Sequence, residues 1–350
     1  MSTDMNHTSD LEVEFFFQKG LHLNRTQQYV TAIASYDRAL ELQPDHSEIW
    51  YSRGNALYHI GRYEAAVASY DKALEYKPAF HEAWNNRGNA LDDLGRFEEA
   101  IYSYEKAIKF KSDYFWAWNN RGISLKNVGR LEEAIVSYER AIEFKPDYYW
   151  AWYHRGIALR QLGRLEQVIT CYDRALEIKS DFHEALHNKA NALYDLGEYE
   201  QAIIHYDKAL SIKADYQWAW YNRGMALQNI GRFAEAVVSL DKALALNSNN
   251  PDAWYFRGSA LNNLGCQYSA IASYDQALHF QPDQHKAWYN KACCYAGYGD
   301  VEQAIANLEK AINLHPDRYL ELAKTDADFD EIREDERFQA LIEEGALRQD

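Results

Sequence analysis

Large apolar, small and polar side chains return at fixed places along this chain. Gly20, Gly54, Gly88, Gly122, Gly156, Ala190, Gly224, Gly258 and Ala292 stand 34 residues apart. Each has a large apolar residue four places before it, an apolar residue three after it and, in most units, a glycine seven after it. Such a period marks one supersecondary unit copied along the chain. With Val13 as the first residue of the first copy, nine units run from 13 to 318, and about 32 residues follow.

The copy from 81 to 114 shows what a unit builds. Trp84, Gly88, Leu91 and Leu94 step by three or four residues, which is one stripe of a helix. Gly95 supplies a left-handed residue to end it. A second stripe then runs through Phe97, Ala100, Ile101, Tyr104, Ala107 and Ile108 until Lys111, Ser112 and Asp113 break the pattern. Each unit is therefore expected to be a helical hairpin, with Gly88 and Ala100 letting its helices approach and Trp84 and Tyr104 filling the wider end. Pro44, Pro78, Pro146, Pro282 and Pro316 mark the unit boundaries, and Asp45 with Glu48 and Asp181 with Glu184 have capping-box spacing. A lone hairpin leaves both outer faces in water, so the copies are expected to stack into one solenoid with a concave and a convex side.

Trp50, Gly54, Leu57, Ala66, Tyr70, Ala73 and Pro78 form a signature that recurs with small changes in all nine units. It resembles the tetratricopeptide repeat. The resemblance implies an all-α fold: a right-handed α-solenoid of nine 34-residue helix-turn-helix repeats whose first helices line an inner, peptide-holding groove. Residues 1–12 read as an N-terminal tail, 13–318 as the repeats and 319–350 as C-terminal capping helices, with apolar spacing at Leu320, Ala323, Phe329, Ile332, Phe338 and Leu341. Local packing should differ where Val168, Leu186, Leu240 and Leu308 depart from the signature. The first unit is weaker, with Phe16 for tryptophan and Gln27 for the turn glycine.

Two charged positions never vary in sign. Position 7 is basic (Lys19, Arg53, Arg87, Arg121, Arg155, Lys189, Arg223, Arg257, Lys291), and position 25 is acidic (Asp37, Asp71, Glu105, Glu139, Asp173, Asp207, Asp241, Asp275, Glu309). A cation beside a packing stripe loses water and needs a carboxylate, so the pattern predicts a ladder of ion pairs, within units or between them. The other reading is an arginine row that meets an acidic ligand.

The tryptophans divide. Trp50, Trp84, Trp118, Trp152, Trp220, Trp254 and Trp288 hold the packing position, whereas Trp116, Trp150 and Trp218 lie two residues earlier, rotated by about 200° around the helix. Those three are candidates for partner recognition or for filling gaps between neighbouring first helices. Asparagine recurs at position 6 (Asn86, Asn120, Asn188, Asn222, Asn290) and position 9 (Asn55, Asn89, Asn191), pairing Asn55 with Asn86, Asn89 with Asn120 and Asn191 with Asn222 across neighbouring units. An amide both donates and accepts, so such a row can hold an extended backbone whatever its side chains; the alternative is surface asparagine bonded to water. The row resembles the asparagine ladder of peptide-gripping superhelices. By the same resemblance a chaperone-tail clamp would need lysine at position 5, where Tyr51, Asn85, Asn119, Tyr153 and Tyr221 stand instead. Glu48, Glu82, Asp92 and Asp93 make the N-terminal end of the groove acidic, and Lys126 and Arg160 lie near the middle tryptophans.

A net charge of −16 argues against sequence-independent nucleic-acid binding. Cys171, Cys266, Cys293 and Cys294 form no C-x-x-C pair and read as packing residues of a reducing compartment. No apolar run suggests a membrane span or an export segment, which makes the cytoplasm the expected location. No catalytic motif, phosphate loop or cofactor signature occurs, and His183 with His187 is an isolated helical pair of histidines. The expected function is a non-enzymatic scaffold that binds a protein or peptide in its groove. The alternative is an assembly protein that forms a homo-oligomer through its first unit or its extra tryptophans.

Overall fold

The computed structural model describes residues 2–347, and all their regular structure is helical. Two compact units divide the chain, Met1–Ser180 and Asp181–Asp350. The first unit holds α1 (Ser2–Arg25), α2 (Tyr29–Leu42), α3 (Ser47–His59), α4 (Tyr63–Tyr76), α5 (His81–Asp93), α6 (Phe97–Phe110), α7 (Phe115–Asn127), α8 (Leu131–Phe144), α9 (Tyr149–Gln161) and α10 (Leu165–Ile178). The second holds α11 (His183–Asp195), α12 (Tyr199–Ile212), α13 (Gln217–Asn229), α14 (Phe233–Leu246), α15 (Pro251–Asn263), α16 (Gln267–Phe280), α17 (His285–Tyr298) and α18 (Val301–Leu314). It closes with α19 (Pro316–Thr325), a 3-10 turn at Ala327–Ile332 and α20 (Glu336–Leu347).

Every odd helix packs on the even helix that follows it, as the stripes require, and within each unit the next odd helix packs on that even one. Odd helices also touch one another: α1 meets α3, α3 meets α5, α5 meets α7 and α7 meets α9 in the first unit, and α11 meets α13, α13 meets α15 and α15 meets α17 in the second. Second helices approach each other less, so the first helices form the inner, concave side of each unit.

The hairpin closes on local chemistry. Gly95 has φ 72°, a conformation glycine enters freely, and the first repeat sets Gln27 in the same place at φ 60°. Inside the hairpin, a Cβ added to Gly88 would lie 2.5 Å from the Tyr104 ring, so the helix contact at that point is glycine against aromatic face. The seven packing tryptophans tie each hairpin to the loop before it; Trp84 Nε1, for example, donates to the Pro78 carbonyl at 2.9 Å.

The ion-pair ladder runs between repeats. Arg53, Arg87, Arg121 and Arg155 reach back to Asp37, Asp71, Glu105 and Glu139 on the preceding second helix, and Arg223, Arg257 and Lys291 do the same to Asp207, Asp241 and Asp275. Arg87 shows the full clasp: Nε donates to Asp71 at 2.6 Å, Nη1 donates to Ser103 Oγ of its own repeat at 2.7 Å, and the guanidinium lies 5.8 Å from the Trp84 ring centre. These arginines are joints of the stack, held against a row of serines, with Cys171 at one place, that the sequence reading did not single out. The carboxylates are about half exposed, so each pair contributes a few tenths of a kcal/mol to about 1 kcal/mol.

Residues 2–12, ahead of the first repeat, lie within α1. The capping expectation needs correction. Asp45 and Asp181 do not cap: His46 and Phe182 hold the N-cap positions of α3 and α11, so each carboxylate lies one residue too early. Side-chain caps occur instead at Asn250, Asp300 and Asp326. After α18 the chain enters α19 at Pro316, a residue that suits the first helical turn. Tyr319, Leu320, Ala323, Phe329, Ile332 and Phe338 are buried there against α17 and α18; residues 348–350 lie outside the described residues. Cys171, Cys293 and Cys294 are buried, but Cys266 is exposed because it falls in the turn before α16, where nothing packs over it.

Candidate functional site

The paired asparagines meet as their spacing requires, and they bond to each other before anything else. Asn86 Nδ2 donates to Asn55 Oδ1 at 2.9 Å, Asn120 Nδ2 to Asn89 Oδ1 at 3.0 Å, and Asn222 Nδ2 to Asn191 Oδ1 at 2.9 Å. Each position-9 oxygen also accepts from a buried tyrosine of its own repeat: Tyr70 on Asn55 at 2.8 Å, Tyr104 on Asn89 at 2.9 Å and Tyr206 on Asn191 at 2.7 Å. Asn86 is engaged on both sides, since it donates to the Tyr51 hydroxyl and accepts from Asn85 as well. The asparagine row is thus a chain of joints between repeats in which the Oδ1 atoms of Asn55, Asn89 and Asn191 each accept twice.

Two recesses open along this row in the first unit. One, of about 250 Å³, is lined by Asn24, Asn55, Tyr58, His59, Tyr70, Asn86 and Asn89. The next, of about 220 Å³, is lined by Tyr58, Asn89, Asp92, Asp93, Tyr104, Asn120 and Ile123. Tyr58 and Asn89 belong to both, so the recesses are neighbours along α1, α3, α5 and α7. Burial pushes the Asp92 carboxyl above the usual carboxylate range, partly offset by the hydroxyl of Ser124, which donates to it. Burial and the neighbouring Asp93 likewise push the Tyr58 hydroxyl up.

Beyond the recesses the groove turns aromatic. Trp116 is 44% exposed and meets Phe115 and, at 4.9 Å, Tyr148. Trp150 is half-buried, stacked on His154 at 5.6 Å and edge-on to Tyr153 at 5.8 Å. His154 lies on the same helix one turn further on, and Trp116 is the more exposed of the two tryptophan rings. In the second unit Trp218 is 52% exposed, with Tyr221 as its ring neighbour at 6.4 Å. Lys126 on α7 lies close enough to favour the ionised form of Asp92 and the neutral form of His154. Arg160 on α9 lies close enough to Tyr172 to act on its hydroxyl.

The clasp fails where Ile123 replaces asparagine and His154 stands at the next position 6. The Tyr138 hydroxyl, Asn119 Oδ1 and His154 Nδ1 are buried there without hydrogen-bond partners among the described residues. Burial, reinforced by Lys126, holds His154 well below its ordinary value, at about 4. His183 and His187 are engaged in the structure: His183 pairs with Glu184 at 3.0 Å, and His187 contacts the Tyr216 hydroxyl at 3.2 Å and Asn222 at 3.1 Å. The sequence reading missed Tyr70, Tyr104 and Tyr206 as hydrogen-bond donors. Their signal was the pairing of a position-24 tyrosine with a position-9 asparagine.

Tetratricopeptide repeat family models match residues 17–75, 69–102, 115–148, 149–182, 218–250 and 285–318, and the TPR repeat model matches 88–129 and 190–231, together more than half of the chain. The chain belongs to the tetratricopeptide repeat family. Members of this family mediate protein–protein interactions and assembly, and the fold is typically a non-catalytic scaffold. A tetratricopeptide repeat protein from Parabacteroides merdae is 16% identical, with a TM-score of 0.52 over 76% of this chain and 98% of its own. The C-terminal part of a TPR repeat-containing protein from Cytophaga hutchinsonii is 18% identical, with a TM-score of 0.57 over 68% of this chain and 97% of its own. These two likenesses concern the fold alone. YrrB, a TPR protein with an unusual peptide-binding site, is 26% identical over 53% of this chain and 97% of its own, with a TM-score of 0.49. No curated protein matches the chain. Among the described residues, no helix is long and apolar enough to cross a membrane.

Proposed function

We propose that this tetratricopeptide repeat protein is a non-enzymatic scaffold that grips an extended peptide along the first helices of Met1–Ser180. The observation that carries the reading is the pair of neighbouring recesses that share Tyr58 and Asn89 on the first helices, together with the exposed ring of Trp116 on α7. An extended segment has unpaired backbone carbonyls, and the Nδ2 groups of Asn55 and Asn89 are donors suited to them. Trp116, Trp150 and Tyr153 offer ring faces, and Lys126 and Arg160 add positive charge beside them. The partner's segment therefore carries aromatic or acidic residues where it crosses α7 and α9. The free cysteines, three of them buried, fit a cytoplasmic protein.

Panning a library of random displayed peptides on the whole chain tests this. Selected peptides should lose about tenfold in affinity, roughly 1.4 kcal/mol, against Trp116→Ala and against Lys126→Glu. Binding that neither substitution changes would remove the groove reading.

A further inference from the structure

We propose that the outer face of α1 is a contact between two copies of this chain, formed by antiparallel pairing of α1 with its symmetry mate. Position 3 of the repeat is the site where a first helix meets the second helix before it. Ile49, Ala83, Ala117, Ala151, Ala185, Ala219, Ala253 and Ala287 hold it in the later repeats, every one at 0% exposure. In the first repeat the same position is Phe15, 63% exposed, with Leu11 one turn earlier at 59%. A ring of that size at a stacking position, left in water, belongs to a face that receives another helix.

Lys19 follows on the same stripe. Its counterparts Arg53, Arg87, Arg121 and Arg155 each pair with a carboxylate of the repeat before, and among the described residues no second helix lies against this face of α1 to give Lys19 one. A second copy supplies it. In a two-fold antiparallel pairing centred on Phe15, a residue a given number of places after Phe15 stands opposite the residue as many places before it in the mate. Phe15 then meets Phe15, and Lys19 lies against Leu11 and beside Glu12, twice over by symmetry. Each copy thus offers both the cation and the carboxylate, which is what an isologous contact between identical helices needs. The groove on the other side of α1 stays open, so this contact is independent of peptide binding.

The test is the mass of this purified 350-residue chain by light scattering across a dilution series reaching high micromolar concentration. The expected result is a concentration-dependent dimer that Phe15→Glu and Lys19→Glu each reduce to a monomer with unchanged helical circular dichroism. Glu12→Lys combined with Lys19→Glu should restore the dimer, because the swapped charges face each other again. Peptides selected on the wild-type chain should bind Phe15→Glu as before. A wild-type chain that stays monomeric throughout, a dimer that survives Phe15→Glu, or a charge swap that restores nothing would each overturn the proposal.

Discussion

Asn86 donates its Nδ2 to Asn55 Oδ1 at 2.9 Å across the junction of the second and third repeats, while the Tyr70 hydroxyl donates to the same oxygen. A residue on the groove thereby also holds the stack together. Asn55→Ala would leave a buried hydroxyl and an amide without their acceptor, at a cost of about 1–3 kcal/mol in urea or thermal unfolding. Ile123→Asn makes the reverse change: it gives the Tyr138 hydroxyl an acceptor and should gain up to about 1 kcal/mol. A neutral Asn55→Ala would show that this joint contributes nothing.

Gln27 holds a left-handed conformation that eight later turns assign to glycine. Gln27→Gly relieves the strain of a side chain at φ 60° and should stabilise the first hairpin by about 1 kcal/mol, even though it loosens the unfolded chain. Hydrogen exchange in α1 and α2 would report it as slower opening.

The two classes of tryptophan should separate cleanly. Trp84→Ala removes a packed ring, its hydrogen bond to the Pro78 carbonyl and its contact with Arg87, for a loss of about 3 kcal/mol or more. Trp116→Ala and Trp218→Ala remove exposed rings and should cost less than about 1 kcal/mol in the same melt. A large loss at Trp116 would assign it to packing instead.

His154 makes stability depend on pH. Its ordinary value is near 6.5 and the fold holds it at about 4, so between those values the unfolded chain takes up a proton that the folded chain refuses. The contribution is complete above pH 6.5 and is lost as pH falls toward 4, on the order of 3 kcal/mol. Lys126, Tyr138 and the rings of Trp150 and Tyr153 surround the imidazole. His154→Asn should flatten this part of the pH profile relative to wild type; an unchanged slope between pH 6.5 and 4 would contradict the assignment.

Most of the fold was legible because a repeat states each rule nine times. The step of Gly20, Gly54 and Gly88 gave the hairpins, and Gly95 gave their turn. Invariant signs at positions 7 and 25 gave the ladder but not its direction, because Arg87 has a carboxylate at a similar distance in sequence on either side, Asp71 before it and Glu105 after it. The asparagine pairs were legible as neighbours for the same reason. Their use in joints was not, since whether Asn86 faces a partner or Asn55 depends on the register between helices, which one hairpin does not contain. The exposure of Phe15 was equally hidden: the residue looks like a packing position until the missing neighbour is seen.

The central claim is that the first helices of Met1–Ser180 form the binding surface, and amide hydrogen exchange with and without a selected peptide tests it most directly. The account predicts slower exchange at the groove ends of α3, α5, α7 and α9, with α4, α6 and α8 unchanged apart from general stabilisation. Slowing concentrated on the second helices, or in Asp181–Asp350 alone, would contradict it.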